Sequence, residues 1–366
     1  MDTSITMVDL RAQYLRYKSE IDTAIASVLQ STDFIEGEAV RLFSHNLSQY
    51  LGVKHVITCA NGTDALMLAL LSLKLQPADE IIVPSFTFAA PAETSAFLGL
   101  TPVFADVYPD TFCIDPQSII RNITSRTKAI IPVHLFGQCA NMDAIMDIAA
   151  QHNLFVIEDT AQAFGASFNG KKAGTIGHIG CTSFFPSKNL GCYGDGGAVF
   201  TNDDTLAESI RLFAHHGSRT KYLHETVGIN SRLDTLQAAI LNVKLPYLDE
   251  WNNTRRIIAS KYNEALSSFL KCPVTGAHST HIFHQYTVPL QNGEVRGVLQ
   301  ERLKNNGIAS TIYYPFPLNE QQTYKNISKC ADGCPVTKDI CSCVLSLPIY
   351  PELSDEKIDR IIKVIA

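Results

Sequence analysis

Lys188 lies in TSFFPSKNLGCYGDGGAVF, residues 182–200, after a run of apolar residues and Pro186 and before two glycine-rich turns. Partial desolvation in such a place lowers a lysine's pKa and leaves a neutral amine able to attack a carbonyl. A loop lysine alone is ordinarily solvated surface, so its neighbours decide. Asp159 closes the apolar run LFVIED. A carboxylate at the carboxyl edge of a central strand stands where open α/β sheets bind ligands. There it suits a protonated ring nitrogen; the plainer role is to cap the next helix. Asn61-Gly62-Thr63-Asp64 ends one apolar run and opens a helical pattern. Backbone N–H groups at that helix start, with the Thr63 hydroxyl, can receive a phosphate. Ser183 and Ser187 offer further hydroxyls. Phe86 and Phe88, in VPSFTF, can stack on a planar ring, although aromatic residues so placed more often belong to the core.

These residues need a scaffold, and the hydrophobic pattern supplies one. Short apolar runs at 55–60, 80–84, 102–107, 129–135, 155–158, 182–185 and 198–201 read as seven buried strands. Segments between them, such as 63–74 and 141–152, carry apolar residues at helical spacing. Strands buried on both faces and joined by helices make a mostly parallel α/β sheet. The pattern changes after residue 202. Helices are expected at 206–215 and 232–245, then at 255–269, 295–306 and from Ser354, with a strand at 285–290. This predicts a large domain over 1–246 and a smaller α+β domain over 247–366, within the range of two domains for 366 residues.

A net charge of −6 leaves no broad basic field for nucleic acid or anionic lipid. The N-terminus carries charges throughout and lacks an apolar signal core, and no apolar stretch is long enough to span a membrane. A cytoplasmic location follows as the expectation, with the ten cysteines as reduced thiols. Cys330, Cys334, Cys341 and Cys343 form the one local group, but their spacing lacks the paired knuckles of common zinc sites, so no metal is expected.

Together the blocks CANGTDAL (59–66), VPSFTFAAPAET (83–94), IEDTAQAFGA (157–166), TSFFPSKNLGCYGDGGAVFTNDD (182–204), GINSRLDTLQAAIL (228–241) and YYPFPLNEQ (313–321) resemble the DegT or StrS sugar aminotransferase family. The resemblance covers essentially the whole chain. It implies a fold-type-I enzyme dependent on pyridoxal 5′-phosphate, with Lys188 as the Schiff-base lysine and Asp159 beside the pyridine nitrogen. Gln162 then lies near the ring hydroxyl, Phe88 stacks on the ring, and Gly62, Thr63 and Ser183 cradle the phosphate. Asn230 reaches the phosphate from a partner subunit, so the family pattern is a homodimer with shared sites. Glutamate is the implied amino donor and a keto-sugar nucleotide the acceptor. The blocks are most similar to the UDP-2-acetamido-2-deoxy-3-oxo-glucuronate aminotransferases of bacterial surface-polysaccharide (O-antigen) pathways. In that group Arg232 matches an arginine that contacts the sugar carboxylate. Tyr313-Tyr314-Pro315 departs from the group's His-Tyr-Pro, which favours keeping a 6-deoxy 3-keto or 4-keto sugar nucleotide as an alternative acceptor. A related sugar dehydratase would carry histidine at position 188. A regulatory pyridoxal phosphate protein would ordinarily add a DNA-binding domain.

Overall fold

The computed structural model describes residues 4–366. The central sheet contains β1 (His55–Cys59), β2 (Glu80–Pro84), β3 (Thr101–Ala105), β4 (Thr127–Ile130), β5 (Phe155–Asp159), β6 (Ile179–Ser183) and β7 (Gly197–Thr201). Their spatial order is β1-β7-β6-β5-β4-β2-β3. Only β7 runs against its neighbours; the β2, β3, β4, β5 and β6 pairings are parallel. The expected seven-stranded, mostly parallel sheet is present.

Alternation along the strands assigns side chains to two apolar layers. Ile57, Ile81, Val83, Phe104, Ala129, Ile157 and Val199 face one layer. It is covered by α4 (Gly62–Ser72), α5 (Ala90–Phe97) and α8 (Asp204–Ala214). Ile82, Val103, Ile130, Val156, Ala198 and Phe200 face the other. There α3 (Glu38–Leu51), α6 (Pro116–Asn122), α7 (Met142–His152) and α9 (Thr235–Lys244) close the core. Helix α4 is apolar on every side because sheet and helices enclose it; Leu66, Leu68 and Leu70 are all but fully buried. Each such leucine contributes about 1.5–3 kcal/mol of burial. Its N-terminus is thereby pinned at the edge of the sheet.

The C-terminal layer pairs β8 (Tyr286–Pro289) with β9 (Val344–Leu347) antiparallel. Helices α10 (Leu248–Leu266), α11 (Gly293–Asn305) and α13 (Asp355–Ile365) surround it. Ile5 joins that cluster, holding the strand-like contact Ile5 N–H to Gly307 O at 2.8 Å. Helices α1 (Leu10–Arg16) and α2 (Lys18–Ser31) then run from there toward α9, while α12 (Pro335–Cys343) ends the loop that returns over the large sheet.

Several boundaries differ from the sequence pattern. The run 129–135 stops being a strand at Ile130, and Pro132 has no N–H to extend the ladder. The run 182–185 begins earlier, at Ile179, and ends at Ser183, where the chain turns toward Lys188. The helix expected from Arg232 starts at Thr235 after the cap Asp234, leaving Arg232 outside it. Helices α1, α2 and α3 had no counterpart in the strand-and-helix pattern.

Candidate active site

The carboxyl ends of β1, β2, β5 and β6 open on one side of the sheet, and the expected residues gather there. Asn61 caps α4, its Oδ1 accepting from Asp64 N–H at 2.8 Å. The first N–H groups of a helix have no intrahelical acceptor, so Gly62 and Thr63 keep theirs for a ligand. Gly62 is required for a steric reason: a Cβ there would fall 2.6 Å from the Ser183 Cβ. Ser183 Oγ accepts from Phe185 N–H at 3.2 Å, and its own proton is free to donate. The gap between α4 and β6 is therefore a small anion cradle with amide and hydroxyl donors.

On β5, two neighbouring acids face opposite sides. Glu158 is fully buried and satisfied: His134 Nε2–H, Gly174, Ile176 and Gly177 N–H all donate to it. Asp159 accepts only from Ala161 N–H, at 3.0 Å. Burial raises its pKa above the ordinary carboxylate value, opposed by that N–H and by the positive charge of Lys188. An under-satisfied buried carboxylate is suited to meeting a cationic ring. Lys188 is half-buried. Burial lowers its amine to about 8, with Asp159 pulling the other way. Its Nζ makes no hydrogen bond or ion pair among the described residues.

Gln162 is fixed at both ends. Phe136 N–H donates to its Oε1 at 2.9 Å, and its Nε2 donates to the Tyr314 hydroxyl at 2.9 Å. Tyr314 stands edge-on to Phe86. Phe86 is buried in the aromatic cluster with Phe112 and Phe136, so of the two phenylalanines it is the core residue. Phe88 is 58% exposed and available to a ring. Asn319 accepts from Ser85 Oγ at 2.6 Å, tying the 313–321 loop to the end of β2. Ser187 lines a cavity of about 60 Å³ with His284, Arg255 and Tyr313, away from the anion cradle.

Ser231 is fully buried and donates to Asp64 Oδ2 at 2.7 Å. In an extended segment the residues on either side point the opposite way. Asn230 is accordingly exposed, and Arg232 is half-buried without an ion pair among the described residues.

His284, beside Lys188, carried no signal in the motif reading, although the run FHQYTV marks the strand that delivers it. A directional chain fixes its tautomer. Phe164 O accepts from Asn252 Nδ2 at 3.3 Å, Asn252 Oδ1 from Asn189 Nδ2 at 2.6 Å, and Asn189 Oδ1 contacts His284 Nδ1 at 2.9 Å. Because a backbone carbonyl only accepts, each amide is oriented and Nδ1 must donate. The Nε2 lone pair stays free. Burial, Lys188 and Arg255 hold His284 well below its ordinary pKa, hence neutral.

A model of the DegT/DnrJ/EryC1/StrS aminotransferase family matches residues 16–366. The chain belongs to that family. It is 46% identical over 365 residues to UDP-N-acetyl-3-dehydro-alpha-D-glucosamine 3-aminotransferase of Acidithiobacillus ferrooxidans, covering 100% of this chain and 98% of the relative. It is 45% identical over 355 residues to UDP-2-acetamido-2-deoxy-3-oxo-D-glucuronate aminotransferase of Pseudomonas aeruginosa, covering 97% of each. Among solved structures, NtdA from Bacillus subtilis with bound cofactor PMP superposes with a TM-score of 0.91 at 31% identity, over 99% of this chain and 84% of that one. The protein is thus a nucleotide-sugar aminotransferase dependent on pyridoxal 5′-phosphate. Among the described residues no helix is long and apolar enough to cross a membrane.

Proposed function

We propose that this aminotransferase moves an amino group from glutamate to C3 of a UDP-linked 3-oxo-2-acetamido sugar, with a uronic acid as the preferred acceptor. The observation carrying the catalytic part is the unpaired Lys188 amine at the sheet edge, drawn to about 8 and facing a buried, under-satisfied Asp159. The cofactor fits these residues: the Gly62–Ser183 cradle would take its phosphate and the Asp159 carboxylate its ring nitrogen. Lys188 would hold its carbonyl carbon. When bound, pyridoxal 5′-phosphate supplies an electron sink for the electron pair left at the donor's α-carbon.

The protein's own groups do the rest. The Lys188 amine would take the proton from the donor's α-carbon and deliver it to the cofactor carbon that had been the carbonyl, a general acid–base role for which a pKa near 8 is suited. Asp159 would keep the ring nitrogen protonated through a paired charge in a low-dielectric site. Gln162, clamped between Phe136 and Tyr314, would orient the ring hydroxyl, and the exposed Phe88 would cover the ring. His284, neutral and oriented by the Asn189–Asn252 chain, offers an acceptor beside Lys188 without adding a further cation. Asn230 and Arg232 point away from the chain's own Asp64, which supports their reaching the active site of a second copy. Mixing inactive Lys188→Ala chains with weakened Arg232→Ala chains then raises activity on the uronic acid above that of Arg232→Ala alone, because one hybrid site holds both intact residues; no gain after proven subunit exchange overturns that arrangement. The reading is completed by a cytoplasmic location and a role in supplying sugars for surface polysaccharide.

Arg232 supports the uronic acid. Its planar fork binds a carboxylate at two points, whereas Tyr313 offers only a neutral hydroxyl. One charge-assisted contact contributes about 1.5–3 kcal/mol, about ten- to a hundredfold in affinity. The test is kcat/KM for the UDP-3-oxo uronic acid, the UDP-3-dehydro sugar lacking the carboxylate, and a 6-deoxy-4-keto nucleotide. Wild type should prefer the uronic acid, and Arg232→Ala should reduce that preference more than Tyr313→Phe. Preference for the 6-deoxy sugar overturns the assignment.

A further inference from the structure

Cys330 and Cys334 lie outside the catalytic site, on the loop that carries the chain from Asn319 back to α12. The loop is held firmly on both sides. Lys329 N–H donates to Pro102 O at 3.0 Å, and Phe104 N–H donates to Lys329 O at 2.7 Å, so the strand edge fixes residue 329. Asp106 accepts from Val336 and Thr337 N–H, both at 2.8 Å, fixing the first turn of α12. Between these anchors Ala331 N–H donates to Asn122 Oδ1, and Asp332 Oδ2 accepts from Ser118 and Arg121. Gly333 and Cys334 both take left-handed φ, at 71° and 49°, which folds the segment back on itself. The result brings the two Sγ atoms to 3.1 Å.

We propose that Cys330 and Cys334 are a dithiol modification site that closes to an intramolecular disulfide by exchange with low-molecular-weight disulfides such as oxidised glutathione. Cys330 is half-buried and is the point of entry, while Cys334 is 1% exposed and reached only from Cys330. The contact with Cys334 holds the Cys330 thiol below its ordinary pKa, while the contact with Cys330 and burial push Cys334 up, which favours the thiolate on the outer cysteine and the proton on the inner one. The Cys330 thiolate attacks one sulfur of the small disulfide, whose S–S bond breaks and releases one thiolate. Cys334 then attacks Cys330 Sγ, forming the Cys330–Cys334 bond and expelling the second thiolate. The protons of both cysteines pass to the two departing thiolates. Two protein thiols are oxidised and one small disulfide is reduced to two thiols.

Asp332 lies close enough to complete a three-ligand metal group, its oxygen and the two sulfurs falling within 4.8 Å of one another. The geometry favours the disulfide. Two thiolates on a tetrahedral zinc with Zn–S of about 2.3 Å stand about 3.7 Å apart, well beyond the 3.1 Å found here. The other Asp332 oxygen is committed to Ser118 and Arg121. Cys341 and Cys343 have no part in the pair: Cys341 packs into the aromatic cluster near Phe86, and Cys343 is directed to Ile340 O at 3.6 Å.

Trypsin releases Cys330–Lys338 as one peptide, so the full-length holoenzyme reports directly after incubation in glutathione redox buffers, alkylation and mass analysis. The expected result is an internal disulfide in that peptide, the loss of two hydrogens, at an oxidised-to-reduced ratio about tenfold below that needed to oxidise any other cysteine. Cys334→Ser should stop at one glutathione adduct on Cys330, and Cys330→Ser should leave Cys334 unmodified. Oxidation of other cysteines first, or a persistent adduct on Cys330 with Cys334 free in the wild type, overturns the proposal. So does stoichiometric zinc retained after dialysis from zinc chloride and protecting both thiols. None of these readouts depends on transamination.

Discussion

Lys188 and Lys244 are two lysines with nearly the same acidity and opposite fates. Desolvation draws each amine down to about 8. Lys244 is fully buried on α9, donates to Gly191 O at 2.6 Å and lies 4.4 Å from the centre of the Tyr193 ring. Its charge is absorbed by a carbonyl and an aromatic face. Lys188, one turn of loop before Gly191, has no such partner and opens toward the cradle and Asp159. A depressed pKa therefore marks burial in both regions. What separates a nucleophile from a structural cation is a free nitrogen with somewhere to go.

The largest expected difference comes from deleting each amine. Lys188→Ala should fold yet lose at least three orders of magnitude in turnover, since both covalent attachment and the proton shuttle go with it. Lys244→Ala should keep kcat within a few fold while losing about 2–4 kcal/mol of stability in urea, from the vacated stem and the orphaned Gly191 carbonyl. Loss of turnover in Lys244→Ala at full stability would break the contrast.

Chemical labelling of the cofactor-free protein sharpens it. An amine with pKa about 8 is charged below that pH and free above it, so labelling of Lys188 should climb through pH 8. At pH 7 its neutral fraction is about 300-fold that of an ordinary lysine, the 2.5-unit difference between 10.5 and 8. Lys244, equally depressed but enclosed, should stay unlabelled until the protein unfolds. Equal labelling of the two would show that enclosure is not what distinguishes them.

Asp159→Asn removes the charge facing Lys188 while preserving shape. The rate of the first half-reaction with glutamate, followed in a single turnover, should fall about a hundredfold with the phosphate cradle still binding cofactor. An unchanged rate would reduce Asp159 to capping the turn that follows the strand, through Ala161 N–H. The smallest effect belongs to His284→Phe, which removes one neutral acceptor beside Lys188 and should slow the same step about tenfold. Asn189→Ala should reproduce part of that loss by releasing the tautomer, and Asn189→Asp should restore much of it. A His284→Phe enzyme with wild-type pH profile and rate would make the Asn252–Asn189–His284 chain purely structural.

Much of this was written locally. Apolar runs bounded by glycine and proline gave the seven strands, because strands buried on both faces leave no polar alternation to confuse the pattern. Lys188, Asp159, Gly62 and Ser183 stood out as candidates from type and spacing, since each lies at or soon after a strand end, where the chain turns. The amphipathic N-terminal helices were missed: α3 buries only Phe43, Leu47 and Leu51, a stripe that emerges once α9 is there to receive it. Tertiary structure alone decided three things. It placed His284 beside Lys188 from 96 residues away and set its tautomer through a carbonyl at Phe164. It left Lys188 unpaired while satisfying Lys244, although both lie in apolar surroundings. It closed Cys330 on Cys334 by anchoring residues 329 and 336 to β3 and Asp106. Local sequence specifies backbone conformation and burial tendency, but the partner that satisfies or spares a buried polar group comes from elsewhere in the chain, and only folding brings the two together.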